Sequence, residues 1–445
     1  MAFSEQQQEA TLSSSQARLL EIREEEEYSY DTHVSKSLNR LETFLKIFGF
    51  CQNSIFTILL SWLSFLLVAV ALPLFIFHYF YSSTPNMYEI KSFELEILAF
   101  QSLVAAFSLL CISHNLRKYG VRKFLFVDRS HGHCTQLDSE YAKKINDFFY
   151  LLAVWLLPCL LVKTAREGIR LVYLPQGPLW QSIAILIALT ISWTYSSVIF
   201  LSGCTLFNLV CNFQVIRFDN YGKLLEKDLD VSEYIEEHIR LTHYMSKISH
   251  RFRIFFVFEL LVVTASLFVA LVETTGNHGL INLINGADFG VTAIVELVGL
   301  VICLHAATRV SHRAQGIVSV ATRWHSMATC ASNETSSSAS QAPISGNGDF
   351  MEASVPLSSD FFHHTYSESD LEAVDYVPIP TNTALSTYQK RQSFGTSILM
   401  YLMANPGGFT VFGWRIDRAL VNTIFFLEVS LAMFVLGKTI TFPSQ

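Results

Sequence analysis

The sequence predicts an all-α polytopic membrane protein with seven transmembrane helices, a cytoplasmic N-terminus and an extracytoplasmic C-terminus. Three observations carry that reading. Of the 445 residues, 51% are hydrophobic and only 16% are charged, a balance too apolar for an ordinary soluble domain. The apolar residues are gathered into runs of about twenty, the length at which a helix crosses a bilayer's hydrocarbon core. Lys and Arg are also shared unequally between the connecting segments, and that bias sets orientation.

Taken in order, residues 1–40 form a polar, acidic tail with Glu24 to Glu27 consecutive. It holds too little apolar surface to bury and is expected to be disordered. It also lacks a basic start followed by an apolar core, so no secretory signal peptide is expected. In Ser37–Gly49, Leu38, Leu41, Leu45 and Phe48 recur at helical spacing, which predicts a short helix lying on the membrane surface.

The membrane domain then occupies residues 41–329. Its spans are read as Ser54–Phe80, Leu95–Ser113, Phe148–Val172, Trp180–Phe207, Arg253–Val272 and Phe289–Ala307, with Ile416–Gly437 as the seventh. Pro73 predicts a kink in the first span, where neighbouring helices must satisfy the freed backbone. With the N-terminus inside, the segments Arg117–Lys144, Arg217–Arg251 and Arg309–Arg391 place their basic residues in the cytoplasm. The other side then carries only Lys91, Lys163, Arg166, Arg170 and Lys438.

The outer loops are short, which leaves no room for a separate ligand-binding domain. The eight cysteines lie in spans or on the inner side, without a CxxC pair, so neither an extracellular disulfide nor a cysteine zinc site is expected. The sequon at Asn333 falls on the cytoplasmic side, where it is expected to be silent. Inner segments are larger. Asn208–Phe252 carries an irregular helical stripe, so the fourth and fifth spans are expected to continue as helices, which either pack between subunits or simply solvate a long loop. Residues 330–381 are rich in Ser, Asn and Gly and predict a disordered insert. Residues 382–445 hold a short inner helix at Ser397–Met403, a break at Asn405–Gly408 and the seventh span.

No nucleotide-binding glycine loop, nucleophile elbow or zinc-helix motif appears. No catalytic residue, cofactor, metal site or nucleic-acid partner is therefore expected, and the protein is not read as an enzyme. The donor-rich RSHGHC segment, with His131, His133 and Cys134, matches no standard zinc spacing. Intramembrane charge says more, because ionisable groups inside spans are costly and mark functional sites. Glu259, Glu296 and Glu428 are such groups. Lys163, Arg166 and Arg170 share one helix face at i, i+3 and i+7. They are either the cationic wall of a pocket for an anionic or polar small molecule, or side chains that snorkel and pair with Glu94, Glu96, Glu167 or Glu273.

The seventh span has a stripe of its own: Asp417, Val421, Ile424, Glu428, Ala432 and Val435 follow 4-3-4-4-3 spacing. One reading makes Asp417, Val421, Ile424, Glu428 and Ala432 the lining of a pore. The other packs the stripe against neighbouring spans, with Glu428 bonded inside the bundle.

This layout, with GFTVFGWRIDRALVNTI leading into the last span, resembles the plant gustatory-receptor-like family and, more distantly, the insect gustatory and odorant receptor channels. Gly408-Phe409, Phe412, Ile416-Asp417, Leu420-Val421 and Ile424 parallel the insect pattern. The insect motif goes on with Thr-Tyr and ends in Gln-Phe, where this chain has Val429-Ser430 and Leu436-Gly437, and Glu428 has no counterpart in it. The resemblance implies a homotetrameric, ligand-gated cation channel whose last helix lines a central pore, set in a plasma membrane and opened by a small molecule bound among the earlier spans. The residues alone admit a second class, a non-conducting receptor or scaffold that signals through its cytoplasmic helices.

Overall fold

The computed structural model describes residues 34–80, 88–126, 135–173, 179–224, 231–276, 283–337, 368–372, 402–403, 405 and 407–440. The expected disordered tail up to residue 33, the RSHGHC segment, most of the insert and most of the short inner helix lie outside them.

Helix α1 covers residues 34–47. The first span is α2 (Ile55–Phe65), a π-helical turn (Leu66–Ala71) and α3 (Leu72–Phe80). Then follow α4 (Tyr88–Phe124), α5 (Thr135–Tyr173), α6 (Leu179–Leu224), α7 (Val231–Gly276) and α8 (Leu283–Ser337). The short α9 (Glu368–Glu372), strands β1 (Thr410–Val411) and β2 (Trp414–Arg415), and α10 (Arg418–Ile440) complete the described elements.

Seven helical stretches are long and apolar enough to cross a bilayer, and each contains or closely overlaps an expected span. The first makes the membrane reading physical. Its mean hydropathy is 2.6, yet only 17% of its most apolar window is covered by protein. A helix that apolar, presenting Leu59, Leu63, Leu66 and Phe75 outward, needs lipid as its solvent. The chain is a multi-pass membrane protein. Helices α6 and α7, of 46 residues each, run to about 69 Å at 1.5 Å per residue, well beyond a hydrocarbon core. The helical continuation expected for the fourth and fifth spans is present. Helix α8 also continues to Ser337, inside the segment expected to be insert.

The chain divides into two compact units. The first contains residues up to Phe213, Phe255–Cys303 and Phe425 onward; the second contains Gln214–Ile254 and Leu304–Ile424. In the first, Pro73 has no N–H to offer the carbonyl of Ala69 one turn back. A π-helical turn precedes the proline, and Ser102 of α4 donates its hydroxyl to Ala69 O at 3.4 Å. Helices α4 and α6 come very close at Gly203, where a Cβ would stand 2.1 Å from Ser108 Oγ. Ser108 in turn donates to Ile199 O at 3.1 Å. Such small-residue contacts and interhelical hydroxyl bonds hold helices together where lipid supplies no hydrophobic drive.

Helix α1 departs from expectation. Its Leu38, Leu41 and Leu45 are buried by protein, and Phe44 packs edge-on against Phe148 and Phe149 of α5. The amphipathic stripe is real, but protein covers it and not the membrane. The helix ends at Gly49 (φ +78°), whose carbonyl accepts from Ser61 Oγ at 2.8 Å. Beside it, burial and the nearby Glu42 carboxylate push the Cys51 thiol up to about 11, against the pull of Lys46.

In the second unit, the break before the seventh span is a two-stranded hairpin with Thr410 opposite Arg415 and Val411 opposite Trp414. Its turn residues Phe412 and Gly413 both have positive φ (48° and 86°), as a tight hairpin turn of the primed type requires. The hairpin is anchored by Phe409 N–H donating to Ser311 Oγ (2.9 Å) and Thr410 N–H donating to Ser249 Oγ (3.1 Å). Arg253 lies over the Phe412 ring at 5.3 Å.

Candidate functional site

Lys163, Arg166, Glu167 and Arg170 project from one face of α5, because i, i+3, i+4 and i+7 lie one above another on a helix. All four are buried, together with Glu94 of α4 and Asp288 of α8. Arg166 Nη2 donates to Glu94 Oε1 at 2.6 Å, and Arg170 Nη2 lies 3.1 Å from Glu94 Oε2. Lys163 donates to Asp288 and stands 3.4 Å from Glu167 Oε1. Arg166 also donates to Glu167 and lies 3.7 Å from Asp288 Oδ2. Three cations thus meet three anions, and their charges cancel. This arrangement suits burial, since a buried ion needs both a partner and hydrogen bonds.

The cluster walls a cavity of about 30 Å³, whose remaining lining includes Gln101, Ser192, Trp193 and Thr292. That is room for about one or two waters. Trp193 Nε1 donates to Thr292 Oγ1 at 3.3 Å, while Gln101 Nε2 donates to Trp193 O (3.3 Å) and Ser197 Oγ (3.1 Å). A second cavity of about 10 Å³ shares Gln101 and Thr292 with the first and ends at Glu296.

Lys163, Arg166 and Arg170 are brought together at a cavity, and they are paired, with Glu94 and Glu167 as expected partners. Asp288 was missed. An acidic residue at the outer end of the sixth span, on the same side of the membrane as the three cations, was the available signal.

The stripe of the seventh span turns toward protein within one chain. Val421 and Ile424 are half-buried, whereas Glu428, Ala432 and Val435 are buried. Thr264 of α7 donates its hydroxyl to Glu428. The uncovered face carries Phe425, Phe426, Leu427, Met433 and Phe434. Asp417 precedes α10 and caps it, accepting from Leu420 N–H at 2.8 Å, as a carboxylate at a helix start should. Glu296 is buried opposite Ser266 and within electrostatic reach of Glu428, and neither of its oxygens makes a well-formed hydrogen bond.

A family model described as "Protein of unknown function (DUF3537)" matches residues 36–427. No curated protein and no solved structure matches the chain.

Proposed function

The chain belongs to the DUF3537 family, and we propose that it is a membrane receptor of chemoreceptor type that binds a small anionic ligand at the charged cavity. The observation that supports this is the cavity's wall. A purely structural set of ion pairs needs no polar space beside it. Here Gln101, Ser192, Trp193 and Thr292 continue the wall inward. Because the cluster is neutral, it does not simply attract an anion. A ligand carboxylate enters by taking the place of an internal one, Asp288 or Glu94, on the cations of α5. Exchange of this kind opens the cavity, which in the resting protein is too small for an organic ligand.

The output we propose, on the resemblance to chemoreceptor channels, is a cation conductance. An oligomer, a tetramer by resemblance, brings its last helices around an axis, with Asp417, Val421, Ile424, Glu428 and Ala432 toward the pore and a ring of Glu428 favouring cations. A second reading, a non-conducting receptor, is favoured by the bond from Thr264 that holds Glu428 within its own bundle. Planar-bilayer recording of the wild type, Glu428→Gln and Ile424→Ser decides between them. The conducting reading expects a cation current, with lower cation selectivity in Glu428→Gln and greater basal leak in Ile424→Ser. Silence of all three assembled proteins, across a panel of small carboxylates, leaves the non-conducting reading.

A further inference from the structure

Three side chains far apart in the sequence meet in the interior of the first unit. They are Cys204 on α6, Glu259 on α7 and Cys303 on α8, each buried. Cys204 Sγ donates to Glu259 Oε1 at 3.3 Å, and the three ligand-capable atoms all lie within 4.8 Å of one another. The second oxygen of Glu259 is buried without a hydrogen bond.

We propose that Cys204, Glu259 and Cys303 form an intramembrane binding site for a thiophilic d10 cation, Zn²⁺ or Cu⁺. Donor type sets the class of ion: thiolates select Cu⁺ and Zn²⁺ over the hard cations, and the carboxylate adds charge without changing that preference. Spacing fits as well. Zinc–sulfur and zinc–oxygen bonds of about 2.3 and 2.0–2.2 Å set tetrahedral ligand atoms roughly 3.5–3.8 Å apart. Atoms already within 4.8 Å of one another would close by about 1 Å at most to reach that spacing. Binding releases the thiol protons, and the unpartnered carboxylate oxygen gains the positive partner it lacks. A buried polar atom otherwise carries its desolvation cost uncompensated.

The surroundings support a ligand and not only a packing accident. On α8, Asp288, Thr292, Glu296, Gly299 and Cys303 follow 4-4-3-4 spacing and share one face. The face of α8 that carries Cys303 thus also carries Asp288 and Thr292 of the charged cavity and Glu296 of the second one. Gly299 stands on that face one turn before Cys303. A Cβ there would come within 3.0 Å of Cys204 Sγ and 2.4 Å of Phe200, so a side chain at 299 would crowd the site. The sequence offered no warning, because each of the three helices supplies a single ligand and no short metal-binding spacing results.

The test uses the full chain, purified reduced in detergent without chelator. It is loaded with Zn²⁺ or with Cu⁺ kept reduced, then desalted, and bound metal per chain is counted. Co²⁺ in place of Zn²⁺ adds an optical signature, the thiolate-to-cobalt charge-transfer band. The expected result is about one ion per chain and a thiolate band in the wild type. Cys204→Ser and Cys303→Ser should lose the band, and Glu259→Gln should bind at least about tenfold more weakly. Cys111→Ser and Cys159→Ser, altering thiols outside the cluster, should behave as wild type. Uptake of one ion and not the other identifies which is held. A folded, reduced wild type that takes up neither ion and shows no thiolate band overturns the proposal, whether or not the variants fold. So does binding that survives loss of both Cys204 and Cys303.

Discussion

The polar face of α8 treats charge in two different ways along its length. At Asp288 it joins three cations and two further anions in a cluster where every ion faces an opposite charge. From Glu296 onward the acids of the same unit face neutral groups and one another, with no cation paired to them among the described residues: Glu296 stands opposite Ser266 and within electrostatic reach of Glu428, Thr264 donates to Glu428, and Cys204 donates to Glu259. Burial alone therefore does not fix the role of an intramembrane acid. In the first region an acid is one member of an interlocked set, so removing any partner leaves the remaining charges unbalanced. In the second each acid can be changed singly.

Four changes sharpen that contrast. Arg166→Met should have the largest effect, about 3–5 kcal/mol, because it removes the one cation that contacts Glu94, Glu167 and Asp288 together and leaves three buried acids to Lys163 and Arg170. Thermal unfolding in detergent measures it, and the double variant Arg166→Met with Glu94→Leu should recover part of the loss. Gly203→Val tests packing without charge. Its side chain would press on Ser108 where α4 and α6 are closest, with an expected loss of about 1–3 kcal/mol. In the second region, Glu296→Gln keeps shape and removes only ionisable character, so unfolding should shift by less than about 1 kcal/mol in either direction. A loss as large as that of Arg166→Met would erase the distinction. Smallest is the effect at Cys51, outside the spans. Its thiol is pushed up to about 11 from an ordinary 9.0. The folded state thus holds that proton more firmly than the unfolded chain, and the associated stability is lost as pH climbs from about 9 to 11. Maleimide labelling of Cys51 should accordingly be slow at neutral pH and rise about tenfold per pH unit up to that range.

Much of this was legible in the sequence for simple reasons. Twenty-residue apolar runs gave the seven spans, and the i, i+3, i+7 spacing placed Lys163, Arg166 and Arg170 on one face. The stripe through Glu428 likewise turned out to be one face of a helix. What escaped the sequence depends on which surface meets which. Periodicity identifies Leu38, Leu41 and Leu45 as a buried face, but it cannot distinguish a covering of lipid from one of protein. The hairpin at Thr410–Arg415 hid inside a motif read only as a lead-in to the last span, because Phe412 stands at positive φ where the usual turn signal would place Asn, Asp or Gly before Gly413. The length of α8 was concealed by its polar composition. Its Ser319, Thr322 and Ser326 hydroxyls donate back to carbonyls of their own helix, which a helix tolerates at small cost.

The central claim is that the cavity's cations will accept a ligand carboxylate in place of an internal one, and Asp288→Asn tests it most directly. That variant removes an anion and leaves the cations of α5 under-compensated, so it should unfold at a lower temperature than the wild type. Acetate and a panel of larger carboxylates, compared with chloride at constant ionic strength, should restore much of the loss and stabilise the wild type far less. If no small carboxylate raises the unfolding temperature of Asp288→Asn more than that of the wild type, the cluster is a structural staple and the cavity is not a ligand site.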